Sequence, residues 1–257
     1  MDLSLLWIPA TLAAAAAQTA RNATQRHLTE RIGTVGATQV RFLYGFPFAL
    51  VFLGLIRLGL GETVPGLNVP FFAYIGLGAV AQILATALML AAMRERSFSV
   101  VTATIKTEPV QVALFGLVLL GDPLTPAIAG AIAIATVGVL LLSLKPGAGL
   151  ASGGARPVLF GIAAGALFAL AAIGFRGAIL SLDSGSFLIR ATTTLAWGLG
   201  LQTAILIAWL GLFDRPALAA SFGLWRPSLG AGFLGALASQ FWFIGFALTA
   251  AANVRTL

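Results

Sequence analysis

The sequence predicts an all-α protein: a polytopic membrane bundle of about eight helices whose second half repeats the first. Three observations carry this reading. Hydrophobic residues make up 59% of the 257-residue chain, charged residues only 9%, and mean hydropathy is +1.00. A soluble domain carries about 25% charged residues to cover its surface, so this chain cannot clothe itself for water. The apolar residues fall in runs long enough to span a bilayer, since about 20 residues at 1.5 Å each match a hydrocarbon core of about 30 Å. Finally, the stretches 7–57 and 160–209 resemble each other. In the first, a small-residue apolar segment ends in Ala20-Arg21-Asn22-Ala23 and another opens at Val40-Arg41-Phe42. In the second, the landmarks are Phe175-Arg176-Gly177-Ala178 and Ile189-Arg190-Ala191. Internal repeats in polytopic chains are characteristic of transporters.

The first expected span, 3–20, is a retained helix rather than a secretory signal, because Asp2 is the charged residue before it and a signal needs a positive amino-terminal region. A polar loop follows, then the second span at 36–58. Gly61-Glu62-Thr63-Val64-Pro65-Gly66 carries turn chemistry and separates it from the third, 69–93. The fourth span, 97–120, ends at Gly121-Asp122-Pro123, and the fifth follows at 124–144. A linker rich in glycine and proline over 145–157 divides the chain into 1–150, a five-helix repeat, and 151–257. The second part holds spans at 157–180, 186–212 and 228–251, and the start of a fourth. Five is an odd number, so the second copy begins from the opposite side of the membrane and the repeats are inverted. The missing counterparts of 97–144 lead us to expect that the natural chain continues past Leu257.

Several function classes fall away at this stage. Without cysteine there is no disulfide framework and no thiolate metal site. His27, the single histidine, has no converging ligands, so no metal and no cofactor is expected. There is no phosphate-cradling glycine loop and no nucleophile elbow; Gly76 and Gly78 lie inside a span. The net charge of +7 is scattered singly between apolar runs. That pattern reads as orientation signal and lipid contact, not as a nucleic-acid surface. The expected partners are the lipid bilayer, a small-molecule substrate and a second copy of the chain as homo-dimer; nucleic acid is not among them. Abundant alanine with arginine favoured over lysine suggests a GC-rich bacterial genome and hence the inner membrane.

Ala103-Thr104-Ile105-Lys106-Thr107-Glu108-Pro109-Val110, followed by Gly121-Asp122-Pro123-Leu124-Thr125 and then Gly130 through Gly138-Val139, resembles the EamA-type transporters of the drug/metabolite transporter superfamily. The placement of Arg41-Phe42 and Arg190 at the start of the second helix of each copy is also similar to that family. Across essentially the whole chain, the resemblance implies ten helices in two five-helix repeats, of which this sequence holds about eight.

Ionisable residues inside spans point to function, because each costs roughly 2.5–3.5 kcal/mol in lipid unless it faces a cavity or a partner. Lys106 and Glu108 lie near the centre of the fourth span, about 200° apart on an ideal helix, so they do not pair face to face. Pro109 removes a backbone donor and frees the carbonyl of Ile105. A broken helix carrying an ammonium and a carboxylate suits a zwitterionic or anionic metabolite. In this reading Lys106 meets a substrate carboxylate and Glu108 also holds the coupling proton or cation. Gln82 and Gln240, at similar depths in the two copies, would orient the substrate, or bond other helices instead. Gln18, Arg41 and Tyr44 are further candidates on the first two spans, and Trp242 follows Gln240. Arg21, Arg41, Arg176 and Arg190 sit near the expected ends of spans, where long side chains snorkel to headgroups or line an entrance.

The function expected is secondary transport of a small polar metabolite, amino-acid-like or an organic ion, outward in direction and driven by a proton or ion gradient. The alternative is a non-transporting membrane scaffold or a membrane-embedded enzyme. An enzyme should cluster acidic or histidine residues at one depth, and a scaffold should tolerate loss of Lys106 and Glu108.

Overall fold

A computed structural model describes residues 5–95, 98–105, 107–122 and 156–257, with the pairs 125–126, 129–130, 133–134 and 137–138. Regular structure among the described residues is helical: α1 (Trp7–Leu60), α2 (Val69–Glu95), α3 (Phe98–Ile105), α4 (Glu108–Leu120), α5 (Arg156–Leu180), α6 (Phe187–Phe213), α7 (Arg215–Gly223), α8 (Trp225–Leu248) and α9 (Ala251–Thr256). Helices α1, α2, α5, α6 and α8 are long and apolar enough to cross a membrane. Most of the expected span 124–144, and the linker after it as far as 155, lie outside the described residues.

Helix α1 departs from expectation. Its 54 residues would run about 80 Å if straight, more than twice the hydrocarbon thickness. Instead it turns back at Gly33, where φ is 71° and ψ is 176°. A Cβ forbids that conformation, so glycine is required. The Nε2 of Gln25 donates to the carbonyl of Ala37 at 3.1 Å, whereas twelve residues of straight helix would separate them by about 18 Å. The arms 7–32 and 34–60 therefore form a helical hairpin. The polar loop expected after residue 20 is helix, because Arg21, Asn22 and Gln25 are buried rather than solvated. A polar side chain with a partner inside the bundle gives the helix no reason to stop.

The expected fourth span is broken. Helix α3 ends at Ile105, Thr107 turns with its hydroxyl donating to the carbonyl of Thr104 at 3.0 Å, and α4 starts at Glu108. Pro109 thus falls in the first turn of a new helix, where its missing N–H costs nothing. Gly161 and Gly165 of α5 lie against this break. A Cβ on Gly165 would stand 3.0 Å from the carbonyl oxygen of Ile105 and 3.2 Å from the hydroxyl of Thr107.

The main packing joins the two halves of the chain: both arms of α1 pack on α8, and α2 packs on α5. At the second crossing the backbones touch, since a Cβ on Gly174 would lie 2.6 Å from the amide nitrogen of Gly78. Phe71, Ile75, Ile173, Phe175 and Phe246 form the apolar core beside it. Outward, Leu55, Leu58, Val118 and Leu212 are exposed, as lipid-facing side chains would be.

The bundle has two distinguishable ends. At one, Arg26, Thr29 and Glu30 before the Gly33 turn face Leu90, Met93 and Arg94 of α2 across a cleft of about 320 Å³. Leu28 and Ile32 share an apolar cluster there with Ala220 and Leu224, at and just after α7. At the other, Asn68 Nδ2 donates to the carbonyl of Ser181 at 2.5 Å, and the amide of Ser186 donates to Glu62 at 2.7 Å.

Candidate functional site: a buried arginine cleft

Where α1, α2, α5 and α8 converge, side chains that any of these helices alone could not shield are brought together. Arg41 from the second arm of α1 is 2% exposed, and its Nη1 donates to Thr86 Oγ1 of α2 at 2.7 Å. Arg21 from the first arm is 1% exposed and donates to its neighbour Asn22 Oδ1 from Nη2 at 2.6 Å. Their stems meet at Gly235 of α8, where a Cβ would stand 3.3 Å from Arg41 Cγ and 3.5 Å from Arg21 Cδ. The third arginine comes from α9. Arg255 Nε lies 2.8 Å from Glu108 Oε1, with exposures of 8% and 9%. The N–H does not point along that line, so the contact is a charge pair more than an aligned hydrogen bond. The Arg255 guanidinium also stacks 4.3 Å from the centroid of Trp242. Trp242 Nε1 in turn donates to Gln18 Oε1 at 2.9 Å.

Gln18, Arg41, Gln82, Ser239, Trp242 and Arg255 border one narrow cleft, with Phe175 and Phe246 among its apolar walls. Its volume is about 10 Å³, room for one water and no more. A roomier opening of about 560 Å³ between Phe46, Leu50, Phe72, Trp197 and Leu201 is walled by apolar side chains. It has nothing with which to orient a polar solute.

The cleft thus gathers four of the residues expected from the sequence, Gln18, Arg41, Gln82 and Trp242, and Glu108 reaches it through Arg255. Gln82 Oε1 accepts from Gln202 Nε2 of α6 at 2.8 Å. Two other candidates point elsewhere. Gln240 Nε2 donates to Thr192 Oγ1 of α6 at 2.8 Å, and the Tyr44 hydroxyl donates to the carbonyl of Ser221 at the end occupied by α7, at 3.0 Å. Lys106 lies outside the described residues, while Pro109 is buried in the first turn of α4.

Arg21 and Arg41 do not snorkel; they are among the largest fully buried side chains. Arg176 is not at a headgroup either. Its Nη1 pairs with Asp122 Oδ1 at 2.9 Å and its Nε donates to the carbonyl of Thr249 at 3.0 Å, so it ties α5 to the ends of α4 and α8.

Sequence reasoning passed over Arg255, Thr86, Ser239 and Gln202. A signal for Arg255 exists: Ala252-Asn253-Val254-Arg255-Thr256 runs parallel to Ala103-Thr104-Ile105-Lys106-Thr107. That register sets Arg255 against Lys106, the residue already singled out in the first half.

The sequence model of the EamA-like transporter family matches residues 5–144. No curated protein matches the chain. The family match takes in both arms of α1, α2, the break between α3 and α4, and Glu108, and it covers more than half of the 257 residues. The chain therefore belongs to the EamA-like transporter family and is a multi-pass membrane transporter of the drug/metabolite superfamily.

Proposed function

We propose that the protein is a secondary transporter that exports a small polar metabolite across a bacterial inner membrane, driven by a proton or ion gradient, with the arginine cleft as its substrate site and Glu108 as its coupling group. The observation that carries this is the burial of Arg21, Arg41, Arg255 and Glu108 together inside an apolar helix bundle. Ionisable groups in such a place are expensive and mark substrate or ion pathways. The cleft lies between helices of the two halves of the chain, where transporters built from repeats hold their substrates. Its small volume fits an occluded state, closed between openings to either side.

The pairing of α1 with α8 and of α2 with α5 supports the reading of two related halves, since in each pair the third span of one half packs on the first span of the other, joined in α1 by the second. The test is counterflow: proteoliposomes made from the purified protein are loaded with unlabelled metabolite and given a trace of the labelled one outside. Transient uptake above its equilibrium level is expected for at least one small polar solute, and is expected to be lost in Arg41→Gln. Absence of counterflow for amino acids, organic anions and organic cations alike would leave the scaffold reading in its place.

A further inference from the structure

The charges of the cleft do not balance, and the imbalance has one sign. Among the described residues, Arg21, Arg41 and Arg255 are set against one carboxylate, Glu108. Arg21 and Arg41 meet only neutral acceptors in the hydrogen bonds they make, the Asn22 amide and the Thr86 hydroxyl. Neither is in an ion pair among the described residues, and Arg41 Nε, fully enclosed, has no acceptor at all. The three guanidinium groups are near enough to repel one another. A packed interior does not gather unneutralised cations for stability, because each must be desolvated without a counter-charge. It gathers them where a counter-charge arrives from outside.

The ligand chemistry follows from the side chains. Guanidinium presents a planar fork that grips carboxylate or phosphate oxygens two at a time. Among the described residues, three arginines less one glutamate leave two positive charges. A doubly charged anion cancels them, a monoanion leaves one, and a zwitterion or a cation cancels none. Glu108 already stands where an incoming carboxylate would go, misaligned on Arg255 at 2.8 Å. Trp242 backs that guanidinium and is fastened to Gln18, so it would sense any change there.

We propose that the cleft binds a small dianion, a dicarboxylate or a phosphate, gripped by Arg41 on one side and by Arg255 on the other with the charge of Arg21 close behind, with Glu108 giving up Arg255 as the anion enters. The inference rests on the transporter reading above and names its substrate class. Glu108 is then an internal stand-in for the substrate, neutralising Arg255 while the site is empty. The cleft must widen to admit the anion, and the Trp242–Arg255 stack changes as it does.

The experiment titrates the purified full chain with succinate, inorganic phosphate, lactate, glutamine and putrescine while following tryptophan fluorescence, with Trp242→Phe as the control for the signal. Succinate and phosphate are expected to give saturable changes at concentrations about tenfold or more below lactate, and glutamine and putrescine none. Arg41→Gln is expected to weaken succinate binding about tenfold or more, and Arg41→Lys, which keeps the charge and loses the fork, to weaken it less. Glu108→Gln, which removes the internal competitor, is expected to tighten it. Preference of the unaltered protein for glutamine, putrescine or lactate would overturn the proposal without recourse to any variant, as would unchanged succinate binding by folded Arg41→Gln. Counterflow of the same panel separates the two readings. Movement of glutamine or putrescine in place of the dianions sinks the substrate class and leaves transport standing. Saturable succinate binding with no solute moved sinks transport and leaves the anion site. If no member binds or moves, both fall.

Discussion

Glu108 and Arg255 are 147 positions apart, as 255 less 108, yet each is the other's charge partner at 2.8 Å. Removing Glu108 strands Arg255 in a low-dielectric interior, which typically costs about 3–5 kcal/mol. Glu108→Gln should therefore lower thermal stability markedly, Glu108→Gln/Arg255→Gln should recover most of it, and succinate should rescue the single variant by supplying the lost negative charge. In proteoliposomes, Glu108→Gln is expected to lose gradient-driven accumulation while keeping part of its exchange. Unchanged accumulation in that variant would remove Glu108 from coupling and leave it a purely structural ion pair. Gln18, Gln82 and Glu108 were legible as candidates from the sequence because polar groups inside apolar spans announce themselves. Arg255 was passed over, because its signal is a parallel of five residues with 103–107, too short to single it out. Gln240 shows the reverse limit. Its depth matched Gln82, but depth along a helix does not say which face turns toward the cleft, and Gln240 turns to Thr192.

At the scale of the element, the glycines divide into those that are contacts and those that are not. Gly174 leaves no room for a side chain against Gly78, whereas a Cβ on Gly76 meets nothing within 4 Å. Gly174→Leu is therefore expected to force α2 and α5 apart, with loss of the monodisperse folded protein in detergent or a fall in stability of at least about 3 kcal/mol. Gly76→Leu should leave both unchanged, within about 0.5 kcal/mol. Equal behaviour of the two variants in a thermal melt would show that the crossing does not bear on stability. Spacing of small residues was visible in the sequence, but it could not separate Gly76 from Gly78, since the two lie on different sides of the helix and only the partner helix chooses between them. The hairpin of α1 was likewise hidden. Its turn rests on the backbone of Gly33 alone, and glycine inside a helical pattern is too common to mark a reversal.

For the whole molecule, the engagement of four arginines inside the bundle changes how its charges report orientation. Arg21, Arg41, Arg176 and Arg255 are engaged inside the bundle, so they carry no vote. Arg26, Arg31 and Arg94 remain at the end with the Gly33 turn, and Arg215 and Arg226 flank the adjoining α7. Arg57 and Arg190 remain near the other end. The positive-inside rule then puts the Gly33 end in the cytoplasm and the amino terminus outside. Because there is no native cysteine, single substitutions can check this. Thr63→Cys, exposed in the 61–68 loop, should react with a membrane-impermeant thiol reagent on intact cells. Glu30→Cys, exposed before the Gly33 turn, should react only after the cells are opened. The opposite labelling pattern would invert the molecule.

Composition and run length were enough to establish a helical membrane bundle, because the bilayer's thickness and its lack of hydrogen-bonding partners leave a chain of this hydropathy no other solution. The order of motifs through Glu108-Pro109 and Gly121-Asp122-Pro123 was enough to indicate the family; Glu108 opens α4 and Gly121 closes it. Which side chains share a cleft was settled only by the tertiary structure. Arg21, Arg41, Glu108 and Arg255 come from α1, α4 and α9, and their meeting depends on how α1 folds back at Gly33 and how closely Gly235 lets α8 approach. Hydropathy acts one residue at a time, whereas an electrostatic site depends on distances between helices, and those are fixed by packing that no single segment encodes.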